Sequence, residues 1–220
     1  MSSKELKESE INSVITLFSK GNFNEAFNIV TELTESFPDN PILHNIRGAC
    51  YAGLGQLTSA INSYKTAISL NPEYGKAYFN LGGAYHELGD YNNSVKSYEA
   101  SLSINPDYAE AFNNLGNVLS DSGMLDEAIH SFKEALVIKP DYVEASYSLG
   151  VILHEIGNLE GAVLAYQDAI KTNHNFSEAH NNLGNAYKEL GKPDIALKSY
   201  QRALKINPNF SEAHNNLGNV

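Results

Sequence analysis

The chain has 220 residues, 42% hydrophobic and 10% aromatic, with 26 acidic against 15 basic side chains and a formal net charge of −11. That apolar content counts against a disordered chain. The acidic balance counts against nucleic acid or an anionic membrane surface as partner, since both require basic stripes. Cys50 is the single cysteine, so no internal disulfide can form. The stretch from Met1 to Glu10 is polar and lacks a signal-like apolar run, and no later run reaches the length of a membrane span. The expected compartment is the cytoplasm.

The chain repeats itself with a step of thirty-four residues: Gly48, Gly82, Gly116, Gly150, Gly184 and Gly218 keep that phase. Pro38, Pro72, Pro106, Pro140 and Pro208 keep it too, with His174 standing where one proline is due. The segment from Phe176 to Asn185 returns unchanged as Phe210 to Asn219. Self-similarity of this length marks an array in which each unit packs on its neighbours and no central core is needed.

Residues 1–40 are expected to be an N-terminal segment with an atypical capping repeat. Ile11, Val14, Ile15 and Phe18 fall at helical spacing, Gly21 turns the chain, and Ala26, Ile29, Val30 and Leu33 form a second apolar stripe. Residues 41–210 divide into five regular repeats, 41–74, 75–108, 109–142, 143–176 and 177–210. In residues 109–142, Ala111, Phe112, Leu115 and Leu119 share one side of a helix, while Glu110, Asn114, Asn117 and Asp121 share the other. Gly123 ends that helix. A second helix follows, with Leu125, Ala128, Ile129, Phe132, Ala135 and Leu136 on one face. Pro140 cannot continue it, and Asp141 is the expected N-cap of the next helix. Residues 211–220 are the start of a first helix only, which leads to the expectation of a fragment of a longer protein, or of an end covered by a partner.

The small column of Gly82, Gly116, Gly150, Ala60, Ala128, Ala162 and Ala196 permits close helix packing, and Tyr64, Tyr98, Phe132, Tyr166 and Tyr200 are expected to fill the wider gaps. These glycine, alanine, aromatic and proline columns resemble the tetratricopeptide repeat family. The resemblance implies an all-α fold, an α-solenoid of antiparallel helix pairs wound as a right-handed superhelix, with the first helix of each pair lining a concave groove. Several positions depart from the pattern. Arg47 takes a leucine column, Ser94 and Ser101 replace small alanines and are expected to loosen residues 75–108, and His174 is expected to soften its joint. Pro193 falls near a helix start, where its missing N–H costs little.

No catalytic constellation, metal set or cofactor motif is expected. His180 and His214 lie in equivalent places one repeat apart, so neighbouring-helix separation keeps them off a single ion. Cys50 has no placeable catalytic partner, and Leu81-Gly82-Gly83-Ala84 follows no strand and lacks the phosphate-loop lysine. The asparagines carry more information. Asn80, Asn114, Asn182 and Asn216 recur on the polar face of the first helix, with Asn117, Asn185 and Asn219 one turn on. Asparagine is a mediocre helix former, but its amide can pair with both backbone groups of an extended peptide. The alternative is that these amides bond neighbouring helices. The row resembles the groove ladder of the O-linked N-acetylglucosamine transferases, although Ser148 interrupts it.

A second stripe is acidic. Glu110, Glu144, Glu178 and Glu212 suit helix N-termini, but Glu87, Asp121, Glu155 and Glu189 lie at the opposite ends and would make the groove negative. Among the early groove positions Lys76 is the lone basic residue, so a clamp for chaperone C-terminal carboxylates is not expected. The leading expectation is a scaffold module that holds a protein or an extended peptide segment, neutral or basic. One alternative is the N-terminal recognition arm of a bacterial transferase-type enzyme, whose first regular repeat the Asn45 to Tyr51 stretch resembles. Another is a self-assembly module acting through an exposed C-terminal repeat.

Overall fold

A computed structural model describes residues 6–220, so the first half of the polar N-terminal stretch, residues 1–5, lies outside the described residues. The described residues form thirteen α-helices and no strand. The chain divides into two compact units, one ending at Pro106 and the other running from Asp107 to Val220.

The first unit contains α1 (Glu8–Ser19), α2 (Phe23–Ser36), α3 (Pro41–Gly53), α4 (Leu57–Leu70), α5 (Gly75–Glu87) and α6 (Tyr91–Ile104). Consecutive helices pack as antiparallel neighbours, α1 on α2 through to α5 on α6. Asn40 caps α3 by accepting from the backbone N–H groups of Ile42 and Leu43, at 2.9 and 3.2 Å, with Pro41 in the first turn. Val14, Val30, Leu43 and Cys50, all fully buried, join α1, α2 and α3 into one core. Ala60, Ile61 and Tyr64 of α4 meet Leu81 and Ala84 of α5 in another.

The second unit contains α7 (Ala109–Asp121), α8 (Leu125–Ile138), α9 (Val143–Glu155), α10 (Leu159–Thr172), α11 (Ser177–Glu189), α12 (Pro193–Ile206) and α13 (Ser211–Gly218). It is built the same way. The turn inside the α7–α8 pair requires Gly123, whose φ of 82° is the left-handed region that other residues avoid. The same turn recurs inside every helix pair of both units, each time on a glycine.

The glycine and aromatic columns form one contact rather than two separate devices. A Cβ on Gly116 would fall 2.7 Å from the ring of Phe132, and one on Gly184 would fall 2.5 Å from Tyr200. Gly48 with Tyr64, Gly82 with Tyr98 and Gly150 with Tyr166 repeat the arrangement. The ring therefore lies directly on the glycine, where any side chain would push it away. Phe132 is 1% exposed, and burial of a phenylalanine contributes about 1.5–3 kcal/mol.

Two expectations need correction. Asp141 is not a cap: α9 begins at Val143, with Tyr142 at the capping position and no side-chain bond there. Ser94 and Ser101 do not loosen their repeat, because both are fully buried and donate across to α5 carbonyls, Ser94 Oγ to Gly82 O at 2.8 Å and Ser101 Oγ to Gly75 O at 2.9 Å. Each replaces an alanine methyl with a satisfied hydrogen bond between two helices. The joint at His174 keeps the hydrogen bonds of its proline-containing counterparts: Asn173 accepts from Asn175 N, as Asn71 does from Glu73 N and Asn207 from Asn209 N.

Candidate functional site

The first helices of successive pairs touch, α3 on α5 in the first unit, and α7 on α9, α9 on α11 and α11 on α13 in the second. That adjacency brings the asparagine column of one helix beside a residue thirty-five positions earlier in the helix before it. Asn80 Nδ2 donates to Asn45 Oδ1 at 2.9 Å, and Asn216 Nδ2 donates to Asn181 Oδ1 at 3.0 Å. Asn182 Nδ2 donates to the Tyr147 hydroxyl at 3.0 Å. Burial and then the Glu178 carboxylate hold that phenol above its ordinary pKa, while the bond from Asn182 pulls it back.

The remaining amides are placed differently. Asn114 accepts a long bond of 3.3 Å from Asn113 Nδ2, its neighbour on α7. Asn185 Oδ1 accepts from the Tyr200 hydroxyl at 2.8 Å, which ties α11 to α12 of its own pair. Asn117 is half-buried on α7. Six of the seven asparagines singled out in the sequence are half-buried, so each of these shows part of its surface to solvent while its packed side faces protein, and Asn219 is exposed just past α13. Three of them bridge repeats, which is the alternative the sequence left open, yet an amide has donors and an acceptor beyond one such bond.

Glu87, Asp121, Glu155 and Glu189 are exposed at the far ends of their helices. Glu189 Oε1 lies 3.0 Å from His154 Nε2, which links α11 to α9. Glu212 takes a bond of 2.8 Å from Asn181 Nδ2, so one acid at a helix start joins the amide network as well.

Sequence reasoning missed the inner partners. Asn45, Asn113 and Asn181 are 7%, 5% and 1% exposed, and they recur with Phe79 and Tyr147 at the thirty-four-residue step. The doublets Asn113-Asn114 and Asn181-Asn182 were the available signal, since adjacent helical residues point about 100° apart and only one of each can face outward.

The histidines share a structural task. His44, His180 and His214 each place Nε2 against the carbonyl of residue 38, 174 or 208, at 2.6, 3.4 and 2.9 Å, so each pins the loop before its own helix. Arg47 Nη2 lies 3.2 Å from His44 Nδ1, while its Nε is buried without a partner. Cys50 is fully buried, and burial pushes its thiol up to about 11. Among the described residues no group of three or more His, Cys, Asp or Glu side chains is placed to hold a metal ion, and no helix is long and apolar enough to cross a membrane.

Paired helices closed by a positive-φ glycine, stacked through aromatic-on-glycine contacts and presenting polar columns on their first helices, define a helical-hairpin repeat protein. The chain belongs to the tetratricopeptide repeat family: the tetratricopeptide repeat model matches residues 109–142 and 177–210, and a second TPR repeat model matches 48–89, 82–123 and 152–191. Over 59 residues the chain is 36% identical to Hsp70-Hsp90 organizing protein 2 of Arabidopsis thaliana, a match covering 27% of this chain and 10% of that protein. The chain thus spans about a tenth of that curated relative. Among solved structures it is similar to MamA, at 26% identity and a TM-score of 0.70, covering 73% of this chain and 94% of that one. It also shares the fold of Pseudomonas aeruginosa pilF, at 15% identity and a TM-score of 0.84, with 97% of each chain covered.

Proposed function

We propose that this protein is a non-catalytic scaffold that holds an extended protein segment against its first helices, with no cofactor. Family membership supports protein binding in general. The observation that carries the finer reading is the column of half-buried amides, which recurs on successive first helices and keeps hydrogen-bonding capacity toward solvent. An extended backbone offers N–H and C=O groups at regular intervals, and such amides match them without reading sequence. On the second unit Glu144, Glu155, Glu178 and Glu189 add exposed negative charge, which favours a neutral or basic segment there. A single buried cysteine fits the reducing cytoplasm. The Arabidopsis relative is named for organising Hsp70 and Hsp90, but the basic cluster needed to grip a carboxylate tail does not recur along these first helices.

The test titrates acetylated, amidated and labelled heptapeptides, one set neutral and one lysine-rich, into wild type and two double variants. Asn114→Ala with Asn117→Ala changes no bond between repeats. At ~0.5–1.5 kcal/mol for each of up to four lost bonds, binding weakens by ~2–6 kcal/mol for neutral and lysine-rich peptides alike. Glu155→Lys with Glu189→Lys weakens the lysine-rich peptides alone. Unchanged affinity in the asparagine double assigns these amides to packing only. Light scattering on the same samples reads self-association through α12, whose Leu197 is 37% exposed.

A further inference from the structure

The second helices α2 and α12 carry opposite charge at matching places. Glu32 and Glu35 are exposed on α2, and five periods of thirty-four residues on, the same places hold Arg202 and Lys205 of α12. Lys198 lies one turn before Arg202, so α12 has bases at i, i+4 and i+7, on one side of the helix. Ala196, Tyr200 and Ala203, all fully buried, occupy the opposite side. Asp194 is the one acid that shares the basic side. Among the described helices no other second helix has more than one lysine or arginine at these three places: α8 has His130, Glu134 and Val137, and α10 has Leu164, Asp168 and Lys171. Residues 6–40 hold six acidic and two basic side chains, whereas residues 188–206 hold two acidic and five basic.

The acids of α2 border a cavity of about 500 Å³ between α1 and α2, which Ser9, Glu10 and Ser13 line from the α1 side. The two serines break columns that are otherwise apolar and buried. Ser9 stands where Leu43, Ala77, Ala111, Ala145 and Ala179 are fully buried, and Ser13 stands where Leu81, Leu115, Leu149 and Leu183 are buried. In a later pair that face receives the second helix of the pair before it, as Leu81 meets Ala60, Ile61 and Tyr64 of α4. α1 thus presents a helix seat in polar form, with serines in place of the packing residues and glutamates at the rim. A polar end alone keeps a repeat array soluble, but it needs neither a concavity nor a single sign of charge. Among the described residues Glu32, Glu35, Lys198 and Lys205 are in no ion pair, which leaves their charges to a partner.

We propose that this seat receives the basic side of α12 from a second copy of the chain, with Lys198, Arg202 and Lys205 against Glu10, Glu32 and Glu35. A basic helix is the complement of the seat, and α12 is the helix of this chain that carries the bases. Glu10 also accepts from the Lys7 backbone N–H at 3.0 Å, which fixes its carboxylate at the rim. The two surfaces differ, so the contact is heterologous and copies add in series until a ring closes. The proposal uses neither the amide columns nor Leu197, and it stands apart from the peptide-holding reading.

The experiment is sedimentation equilibrium of the full chain over a range of concentrations, in salt of about 0.01 M and about 1 M. Between these the Debye length falls from ~30 to ~3 Å, which screens the pairing of exposed charges. The average mass of wild type rises with concentration at low salt and returns to that of the monomer at high salt. Glu32→Lys with Glu35→Lys lowers the association constant about tenfold or more, although it makes the chain less negative overall. Lys198→Glu with Lys205→Glu has the same effect. An equimolar mixture of the two doubles regains association, because each meets its complement in the other. Thermal melts check that both doubles fold, and Glu32→Gln with Glu35→Gln, of unchanged size, repeats the loss in milder form. Wild type that stays monomeric at low salt overturns the proposal. Association that rises with salt, or that survives either double, overturns it as well. A mixture of the doubles that stays monomeric while each is folded does the same.

Discussion

Asn181 and Asn216, thirty-five residues apart, share a hydrogen bond of 3.0 Å that Asn113 and Ser148, separated by the same interval, do not. Asn113 is 5% exposed and its Oδ1 is buried without a partner. Its counterparts Asn45 and Asn181 receive an amide hydrogen from the next repeat, whereas Ser148 is too short to supply one. The gap that Ser148 makes in the asparagine column is thus also a gap in the bonding between two first helices. A buried acceptor without a partner costs about 1–3 kcal/mol.

Ser148→Asn is expected to close it. The new amide reaches Asn113 Oδ1 as Asn216 reaches Asn181, and stability rises by ~0.5–1.5 kcal/mol. The urea midpoint measures the gain. In an Asn113→Ala background the same substitution has no acceptor to meet, so the gain disappears there. A gain that survives in that background would show that the new side chain acts through other contacts.

The two roles of the asparagines separate by mutation. Asn182→Ala removes the 3.0 Å bond to the Tyr147 hydroxyl and is expected to lower stability by ~0.5–1.5 kcal/mol. Asn114→Ala removes one long bond of 3.3 Å within its own helix and adds a better helix former, so the net change stays within ~0.5 kcal/mol. Thermal melts of the two single variants decide this. Equal losses would mean that Asn114 also bridges repeats in solution.

Much of the fold was legible because its punctuation is covalent. The glycine and proline columns and two apolar stripes per period sufficed to place six helix pairs and a partial seventh. What remained hidden depends on distances between helices. Asn113 and Asn114 look alike in sequence, and only the closeness of the neighbouring first helix separates the buried one from the half-exposed one. Ser94 and Ser101 read as weak alanines because a donor's partner on another helix has no signature in the chain.

The aromatic-on-glycine contact gives a paired test. In Gly184→Ala the Cβ would fall 2.5 Å from the ring of Tyr200, which is fully buried and cannot swing into solvent. Overpacking of this kind costs about 1–3 kcal/mol. In Gly83→Ala the nearest atom is the Tyr98 hydroxyl at 3.5 Å, an ordinary contact. That variant gains the helix propensity of alanine, about 0.5–1 kcal/mol. Chemical denaturation should therefore move in opposite directions for two glycine-to-alanine changes, both inside first helices. Movement in the same direction would mean that the ring is free to retreat.

Cys50 reports on the first unit. It is fully buried against Val14, Val30 and Leu43, and burial pushes its thiol from 9.0 up to about 11. Only the thiolate attacks a disulfide reagent, so at pH 8 the raised value alone lowers the reactive fraction by about a hundredfold. Access lowers it further, since the reagent cannot reach a sulfur enclosed by three helices. Labelling of the native protein should therefore proceed through opening of α1 to α3, and its rate should rise with urea well below the global midpoint if that segment opens alone. A rate that follows global unfolding would show the first unit to be one cooperative block. Val30→Ala, which leaves a void beside Cys50, should speed labelling at every urea concentration, at a stability loss of about 1–3 kcal/mol. Native labelling as fast as that of a free cysteine peptide would contradict the burial of Cys50.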